Sequence, residues 1–289
     1  MAERGAAERE LGAALARHRL EQEARGAREA TLTLGETKRL AQEAACDVHA
    51  VELAALRAHI LPERYRRNLG TVGWEGQIRL ACATVGVVGA GGLGGWVIEA
   101  LARMGVGTLI IVDGDAFQEN NLNRQLGCTE ANLGRPKAEC LAERVAQVNG
   151  AVRVCPHVAW LDEASAAELL KGSEVIVDAL DTLPARLVLQ EAAARLGVPL
   201  VHGAIGGYTG QVMTVFPGDA GLRALYGAGQ LPERGVETRL GNPAATPMMV
   251  AAWEVQEVVK LLVKQGEPLR GRVLLMDAEY GEVSEIKLG

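Results

Sequence analysis

The sequence predicts an α/β protein: a Rossmann-like, doubly wound, mostly parallel sheet with an antiparallel C-terminal part, preceded by an N-terminal helical extension. Three observations predict it. From about residue 61, short apolar runs alternate with helical patterns. The first of these runs, Thr84–Val88, ends in a glycine-rich turn. The last two, Val273–Asp277 and Glu282–Leu288, flank Tyr280-Gly281 instead of a helix. Continuous apolar runs alternating with helices are the pattern of parallel strands covered on both faces, and two runs around a glycine turn read as a closing hairpin.

Residues 1–60 are rich in Ala, Glu and Arg and carry almost no strand signal. Thr33 and Glu36 have capping-box spacing ahead of Leu40, Ala41, Ala44 and Ala45 at helical intervals. Asp47 can cap a second helix carrying Val51, Ala54 and Leu56. A helix pair could enter a DNA groove, but no basic recognition face is visible, so a packing or dimerising arm is the expectation. Residues 61–289 form the main domain. Its predicted strands are Thr84–Val88, Thr108–Asp113, Glu174–Asp178, Val198–His202 and Gln211–Phe216. Its predicted helices are Gly92–Met104, Arg135–Val148, Pro184–Leu196 and Pro247–Val263. Residues 217–246, rich in Gly and Pro without clear periodicity, read as a long loop, and a long loop in a compact domain is often functional.

Bulk properties narrow the function classes. The 289 residues are 48% hydrophobic, with 35 Gly, only 3% aromatics and a formal net charge of -6. That balance supports a sizeable core and argues against nucleic acid as the main partner. No apolar run reaches membrane-spanning length, and the charged N-terminus lacks the apolar core of a secretory signal. The five cysteines are scattered, with no C-x-x-C pair, which points to a reducing cytoplasm and away from disulfides or a cysteine-type zinc site.

The chemistry sits in four stretches. Gly89-Ala90-Gly91-Gly92-Leu93-Gly94 fits G-x-G-x-x-G between a strand and a helix. Asp113 ends the next strand, where an acid can grip a ribose. Glycines let backbone approach phosphates, and the helix N-terminus presents unpaired N–H groups. NAD, FAD and ATP all satisfy this motif. The stretch after Asp113 contains Asp115, Asn120, Asn121, Arg124 and Gln125, and leaves the carboxyl end of a strand, where doubly wound sheets bind ligands. Next comes Gly134-Arg135-Pro136-Lys137, with Pro136 suited to the first helical position. Lys137 then opposes the positive end of the helix dipole, a mismatch that a bound polyphosphate would remove. Finally, Asp178, Asp181 and Thr182 follow the third strand. Mg²⁺ bound with phosphates needs one or two carboxylates, and Asp181, just past the strand, is the better placed. Together these residues describe a site for ATP with Mg²⁺. Hydride transfer needs neither the lysine nor the metal carboxylate.

These residues resemble the ThiF/MoeB/HesA family, bacterial relatives of ubiquitin-activating enzymes. The resemblance covers about residues 61–289: Arg64-Tyr65, Arg67-Asn68, the glycine turn, Asp113, Asn121–Gln125, Gly134–Lys137, Asp181 and Gly210-Gln211-Val212. It implies an adenylyltransferase that activates the C-terminal Gly-Gly carboxylate of a small ubiquitin-like sulfur-carrier protein and releases pyrophosphate. Molybdenum or tungsten cofactor synthesis and thiamine synthesis are both open as the setting. The implied roles are as follows. Gly89, Gly91, Gly92 and Gly94 lie against the nucleotide, and Asp113 binds the ribose. Asn121, Arg124 and Lys137 contact phosphates, Asp181 holds Mg²⁺, and Arg67 reaches the ATP of a partner subunit in a homodimer. The 217–246 loop covers the carrier's tail. The chain also departs from the family. The stretches where many members place two zinc-binding C-x-x-C pairs, Gly218–Tyr226 and Asp277–Gly281, contain no cysteine, so no zinc is expected. The crossover stretch Glu237–Pro243 lacks the usual cysteine. The T-D-N around the metal aspartate reads Leu180-Asp181-Thr182. Cys128 is the only cysteine near the predicted site, and an idle buried thiol is the commoner case. His157 and His202 read as structural. The alternatives are a tRNA-modifying dehydratase of the same superfamily, an NAD-dependent oxidoreductase and a non-catalytic nucleotide-binding scaffold.

Overall fold

A computed structural model of the chain describes residues 2–27, 29–227 and 237–288. The elements in chain order are α1 (Ala2–Ala24), β1 (Thr31–Leu32), α2 (Leu34–Glu43), α3 (Val48–Arg57), β2 (Leu61–Pro62), α4 (Leu69–Cys82), β3 (Thr84–Val88), α5 (Gly92–Met104), β4 (Thr108–Val112), α6 (Lys137–Val148), β5 (Arg153–His157), α7 (Ala166–Leu169) and β6 (Val175–Asp178), then α8 (Leu183–Leu196), β7 (Leu200–Gly206), β8 (Thr209–Val215), α9 (Leu222–Tyr226), α10 (Glu237–Leu240), α11 (Ala245–Val263), β9 (Arg272–Asp277) and β10 (Glu282–Lys287). Among the described residues no helix is long and apolar enough to cross a membrane.

Eight strands form one sheet in the order β10-β9-β8-β7-β6-β3-β4-β5. The pairs from β5 to β7 are parallel, and those from β7 to β10 antiparallel. The chain runs β3-β4-β5 in one direction, then returns to β6 on the other side of β3. That reversal opens a crevice at the carboxyl ends of β3 and β6, the usual ligand position in such sheets.

Alternate side chains explain the two cores. Val85, Val87, Leu109, Ile111, Val175 and Val177 face α5, α6 and α11. Val88, Ile110, Val112 and Ile176 face the opposite way, against Leu189 and Ala193 of α8. The strand period of two thus sends neighbours to opposite layers, and burial on both sides accounts for the unbroken apolar runs.

The N-terminal residues fold as the local signals require. Thr33 and Glu36 form the capping box on α2, and Asp47 caps α3 by accepting from Ala50 N at 2.7 Å. Two features exceed the sequence reading: the long helix α1, and a parallel pairing of β1 with β2. Leu15, Leu32, Leu40, Val51 and Ile60 make a separate small core. A polar seam joins it to the main sheet. The Tyr65 hydroxyl donates to Glu52 Oε2 at 2.8 Å and accepts from Asn149 Nδ2 at 3.0 Å, and Arg64 pairs with Glu52 at 3.1 Å.

Boundaries shift slightly from the sequence reading. The run expected over Val198–His202 extends to Gly206, and Pro136 caps α6 from outside, so Lys137 is the first helical residue. The 217–246 stretch is not wholly irregular, since α9 and α10 lie within it; its central residues 228–236 lie outside the described residues.

Candidate active site

The glycine turn is shaped by close backbone approach. Gly89 adopts φ +93°, and a Cβ there would stand 2.4 Å from the Ala179 carbonyl oxygen. A Cβ on Gly94 would stand 1.7 Å from the carbonyl oxygen of Gly89. Any side chain at either position would drive α5 away from β3 and β6. With glycine, the start of α5 sits directly over the carboxyl ends of those strands.

Asp113 leaves β4 beside this turn. Its carboxylate accepts from Ala90 N at 2.6 Å and from Asp115 N at 2.7 Å. Each oxygen keeps lone-pair capacity for a further donor such as a ribose hydroxyl. Burial pushes its carboxyl above the usual range, while these backbone donors and nearby Lys137 pull it back in part. Lys137 does not point into water. Its side chain is buried, and Nζ donates to Asp115 Oδ2 at 2.9 Å while Asp115 stays half exposed. The cation is therefore held at a fixed place in the cleft wall with an accessible counter-ion.

These groups line a single cleft of about 480 Å³. Gly89, Gly91, Gly92, Asp113, Asp115, Arg124, Gln125, Lys137 and Asp181 all border it. Arg124 Nη1 is steadied by the Asn120 carbonyl at 2.9 Å and Asn123 Oδ1 at 2.8 Å. Gln125 has a buried Oε1 without a partner among the described residues. Asp181 is exposed to the cleft and makes no hydrogen bond or ion pair among the described residues.

The other candidates lie off the cleft wall. Gly94 is behind the turn. Asn121 is buried, with Oδ1 accepting from Gln118 N at 3.0 Å and Nδ2 donating to Asn120 Oδ1 at 3.0 Å. Asn120 and Asn121 therefore shape the turn that presents Arg124. Thr182 sits at the N-cap of α8. Arg67 is exposed in the turn before α4, away from this chain's own cleft. Cys128 is buried against Phe117 and Cys140, and burial pushes its thiol up. Among the described residues no group of three or more His, Cys, Asp and Glu could hold a metal.

The far half of the cleft runs over β7 and β8; Gly210, Gln211 and the 217–246 stretch were singled out in the sequence, while Arg186 and Ala204 were not. Arg186, Ala204, Gly206, Gly210, Gln211, Tyr226 and Asn242 line it. His202, read as structural, lies at the centre of a buried polar chain beneath. Its Nδ1 is 2.7 Å from Asp178 Oδ2, and its Nε2 is 3.1 Å from the Tyr226 hydroxyl. Gln211 Nε2 donates to the same hydroxyl at 2.5 Å. Burial holds the imidazole below its usual pKa and pushes nearby Glu254 well above the carboxylate range. Trp160, at the mouth near Asp113, was also missed. It is 72% exposed, and its ring lies against Gly114, where a Cβ would be 2.7 Å away. Its exposure and its place beside Asp113 come from the fold, and no motif in the sequence marked it.

The ThiF family model matches residues 65–289. A SAMP-activating enzyme E1 of Haloferax volcanii is 40% identical over 221 residues, covering 75% of this chain and 81% of that protein. A sulfur carrier protein adenylyltransferase of Thermus thermophilus is 39% identical over 228 residues, covering 75% and 83%. An adenylyltransferase and sulfurtransferase MOCS3-2 of Zea mays is 36% identical, and the match covers 78% of this chain but 48% of that protein, so the chain spans about half of that relative's length. In fold, the microcin C7 biosynthetic enzyme MccB in complex with N-formylated MccA superposes with a TM-score of 0.69 at 20% identity, over 88% of this chain and 83% of that one.

Proposed function

This chain belongs to the ThiF family, and from that premise we propose that it is an adenylyltransferase using ATP to activate the C-terminal Gly-Gly carboxylate of a small ubiquitin-like sulfur carrier. One observation carries the reading. The glycine turn, Asp113, Lys137, Arg124 and Asp181 converge on one cleft from four separate chain segments, and that cleft continues past the phosphate-binding groups into a second half able to receive another substrate.

The chemistry asks little of the side chains. An ionised carboxylate oxygen attacks the α-phosphorus in line, the bond from that phosphorus to the bridging oxygen breaks, and pyrophosphate leaves. The carboxylate is already a nucleophile, so no general base is needed. Catalysis is positioning and charge neutralisation. Gly91, Gly92 and the start of α5 cradle the phosphates. Lys137, held rigid by Asp115, and Arg124, steadied by Asn120 and Asn123, face the charge that develops on the leaving group. Asp113 fixes the ribose, and Trp160 closes over the base. Mg²⁺ would be held by the outward-facing carboxylate of Asp181 together with the nucleotide's own oxygens, where it supplies charge neutralisation. One or two carboxylates suffice for such a cation, so the single aspartate fits.

Arg67 completes the reading as a homodimer. Exposed and remote from its own cleft, it reaches the phosphates of a partner subunit, so that each site is finished in trans. Residues 61–289 carry the adenylation site, and residues 1–60 pack against it through Glu52 and Tyr65. The test is ATP–pyrophosphate exchange with purified Gly-Gly-ended sulfur carriers. Exchange that needs a carrier supports the reading, and clear ATP binding without exchange for any carrier overturns it.

A further inference from the structure

The seam between the N-terminal residues and the main sheet is a closed polar circuit. Glu52 Oε2 accepts from the Tyr65 hydroxyl at 2.8 Å, and that hydroxyl accepts from Asn149 Nδ2 at 3.0 Å. Asn149 Oδ1 accepts from Arg64 Nη1. Arg64 Nε returns to Glu52 Oε1 at 3.1 Å, an ion pair rather than an aligned hydrogen bond. Glu52, Tyr65 and Asn149 are each 3% exposed or less. Asn149 Nδ2 also donates to Ala102 O at 2.9 Å. The Tyr65 side chain packs on Gly105, where a Cβ would stand 2.5 Å from it. The circuit is thereby seated on the C-terminal end of α5. Glu52, on α3, is its one member from the N-terminal extension, ahead of the residues 65–289 that match the family model.

Arg67 follows this circuit closely in the chain, and its neighbours are tied down on both sides. Arg66 pairs with Glu63 at 2.7 Å and with Glu29 of the extension at 2.9 Å. Asn68 Nδ2 donates to Gln77 Oε1 at 2.9 Å, and Gln77 Nε2 donates to Met104 O at 2.8 Å. Gly73, at φ +67°, breaks α4 between Asn68 and Gln77 and lets the chain fold back on itself. Of Arg64, Arg66 and Arg67, only Arg67 is exposed and makes no hydrogen bond or ion pair among the described residues. A buried ion pair adds little stability over well-packed apolar residues, and its better-attested use is to fix one geometry. A cation that must meet a phosphate on another chain needs its backbone held in place.

We infer that Glu52 is a positioning residue for Arg67: through the circuit with Tyr65, Asn149 and Arg64, the N-terminal extension fixes the turn that carries Arg67 to the ATP of a partner subunit. This deepens the proposed function and rests on its trans arrangement. Neither Glu52 nor Tyr65 borders the chain's own cleft. Loss of the circuit therefore weakens the step that Arg67 assists and leaves carrier binding intact. A seam that only holds the extension in place predicts the opposite: a lower denaturation midpoint with no dependence on Arg67.

The experiment is a double-mutant cycle read by carrier-dependent ATP–pyrophosphate exchange with full-length protein. Glu52→Gln removes the charge from the circuit. Tyr65→Phe removes only the hydroxyl and keeps the aromatic packing, so it decides the matter if Glu52→Gln fails to fold. Each should lower kcat about tenfold, within the range for a small misplacement of a catalytic group, with the carrier KM unchanged within about twofold. Arg67→Ala should lower kcat about a hundredfold. In that background Glu52→Gln and Tyr65→Phe should cost less than about twofold more, because the group they position is gone. Equal losses in both backgrounds, or an unchanged kcat in folded Tyr65→Phe protein, overturn the inference alone. A wild-type rate in Arg67→Ala overturns the trans arrangement and the inference with it. No exchange by the wild-type protein with any carrier overturns the functional reading and, with it, this inference.

Discussion

The two halves of the cleft are built differently. The nucleotide half lies over the carboxyl ends of β3, β4 and β6, and its groups lie in the connections that follow those strands or begin the next helix. The far half lies over β7 and β8, where the sheet turns antiparallel. Its groups come from α8, β7, β8, α9 and the stretch after α10. The first half is assembled locally, so its glycines and charges appear in the sequence as motifs. The second is assembled by the fold, so its members are far apart in the chain, and apart from Gly210-Gln211 none belongs to a motif.

Substitutions can break or sharpen this contrast. The largest effect is expected at the glycine turn. Gly94→Ala places a Cβ against the Gly89 carbonyl, backbone against backbone, and should destabilise the protein by about 3 kcal/mol, read as a lowered denaturation midpoint. A midpoint near wild type would mean that α5 can move off β3 at little cost. Lys137→Ala should leave the fold intact but lower the exchange rate about a hundredfold, the usual scale for removing a preorganised charge stabiliser. Loss of carrier affinity alone would place Lys137 in the wrong half. Trp160→Ala should raise the ATP KM about tenfold through lost base stacking, without altering the carrier KM, and its fluorescence should respond to ATP in the wild-type protein. The smallest effect is expected away from both halves. Arg153→Ala removes an exposed ion pair with Asp47, worth about 0.5 kcal/mol or less, and neither KM should move.

A test of the trans arrangement bears on both halves at once. Mixing Arg67→Ala with Asp181→Ala subunits should restore exchange that each variant lacks alone, since one of the two shared sites is then intact. Failure to complement would place Arg67 outside catalysis or deny the dimer.

The same contrast explains what the sequence made legible. The strand ending at Val88, the helix from Gly92 to Met104, the caps at Thr33 and Asp47 and the closing hairpin all follow from local rules of period, capping and turn chemistry. Lys137 was found by its place at a helix start, but its burial against Asp115 needed the loop from β4 to fold back. Asn121 was expected at the phosphates only from the family resemblance; in the fold its side chain closes the turn that presents Arg124. His202 and Asp178 are 24 residues apart and meet because β6 and β7 are neighbours in the sheet. That parallel register pairs Asp178 with His202 directly, and it could not be read before the strand order was known.

The most direct measurement is the intact mass of a Gly-Gly-ended carrier after incubation with ATP and the protein. The account predicts a carrier species heavier by one adenylyl group, absent with Asp181→Ala and absent when the carrier's terminal glycine is removed. A panel of carriers that remain unmodified while the protein binds ATP would contradict it.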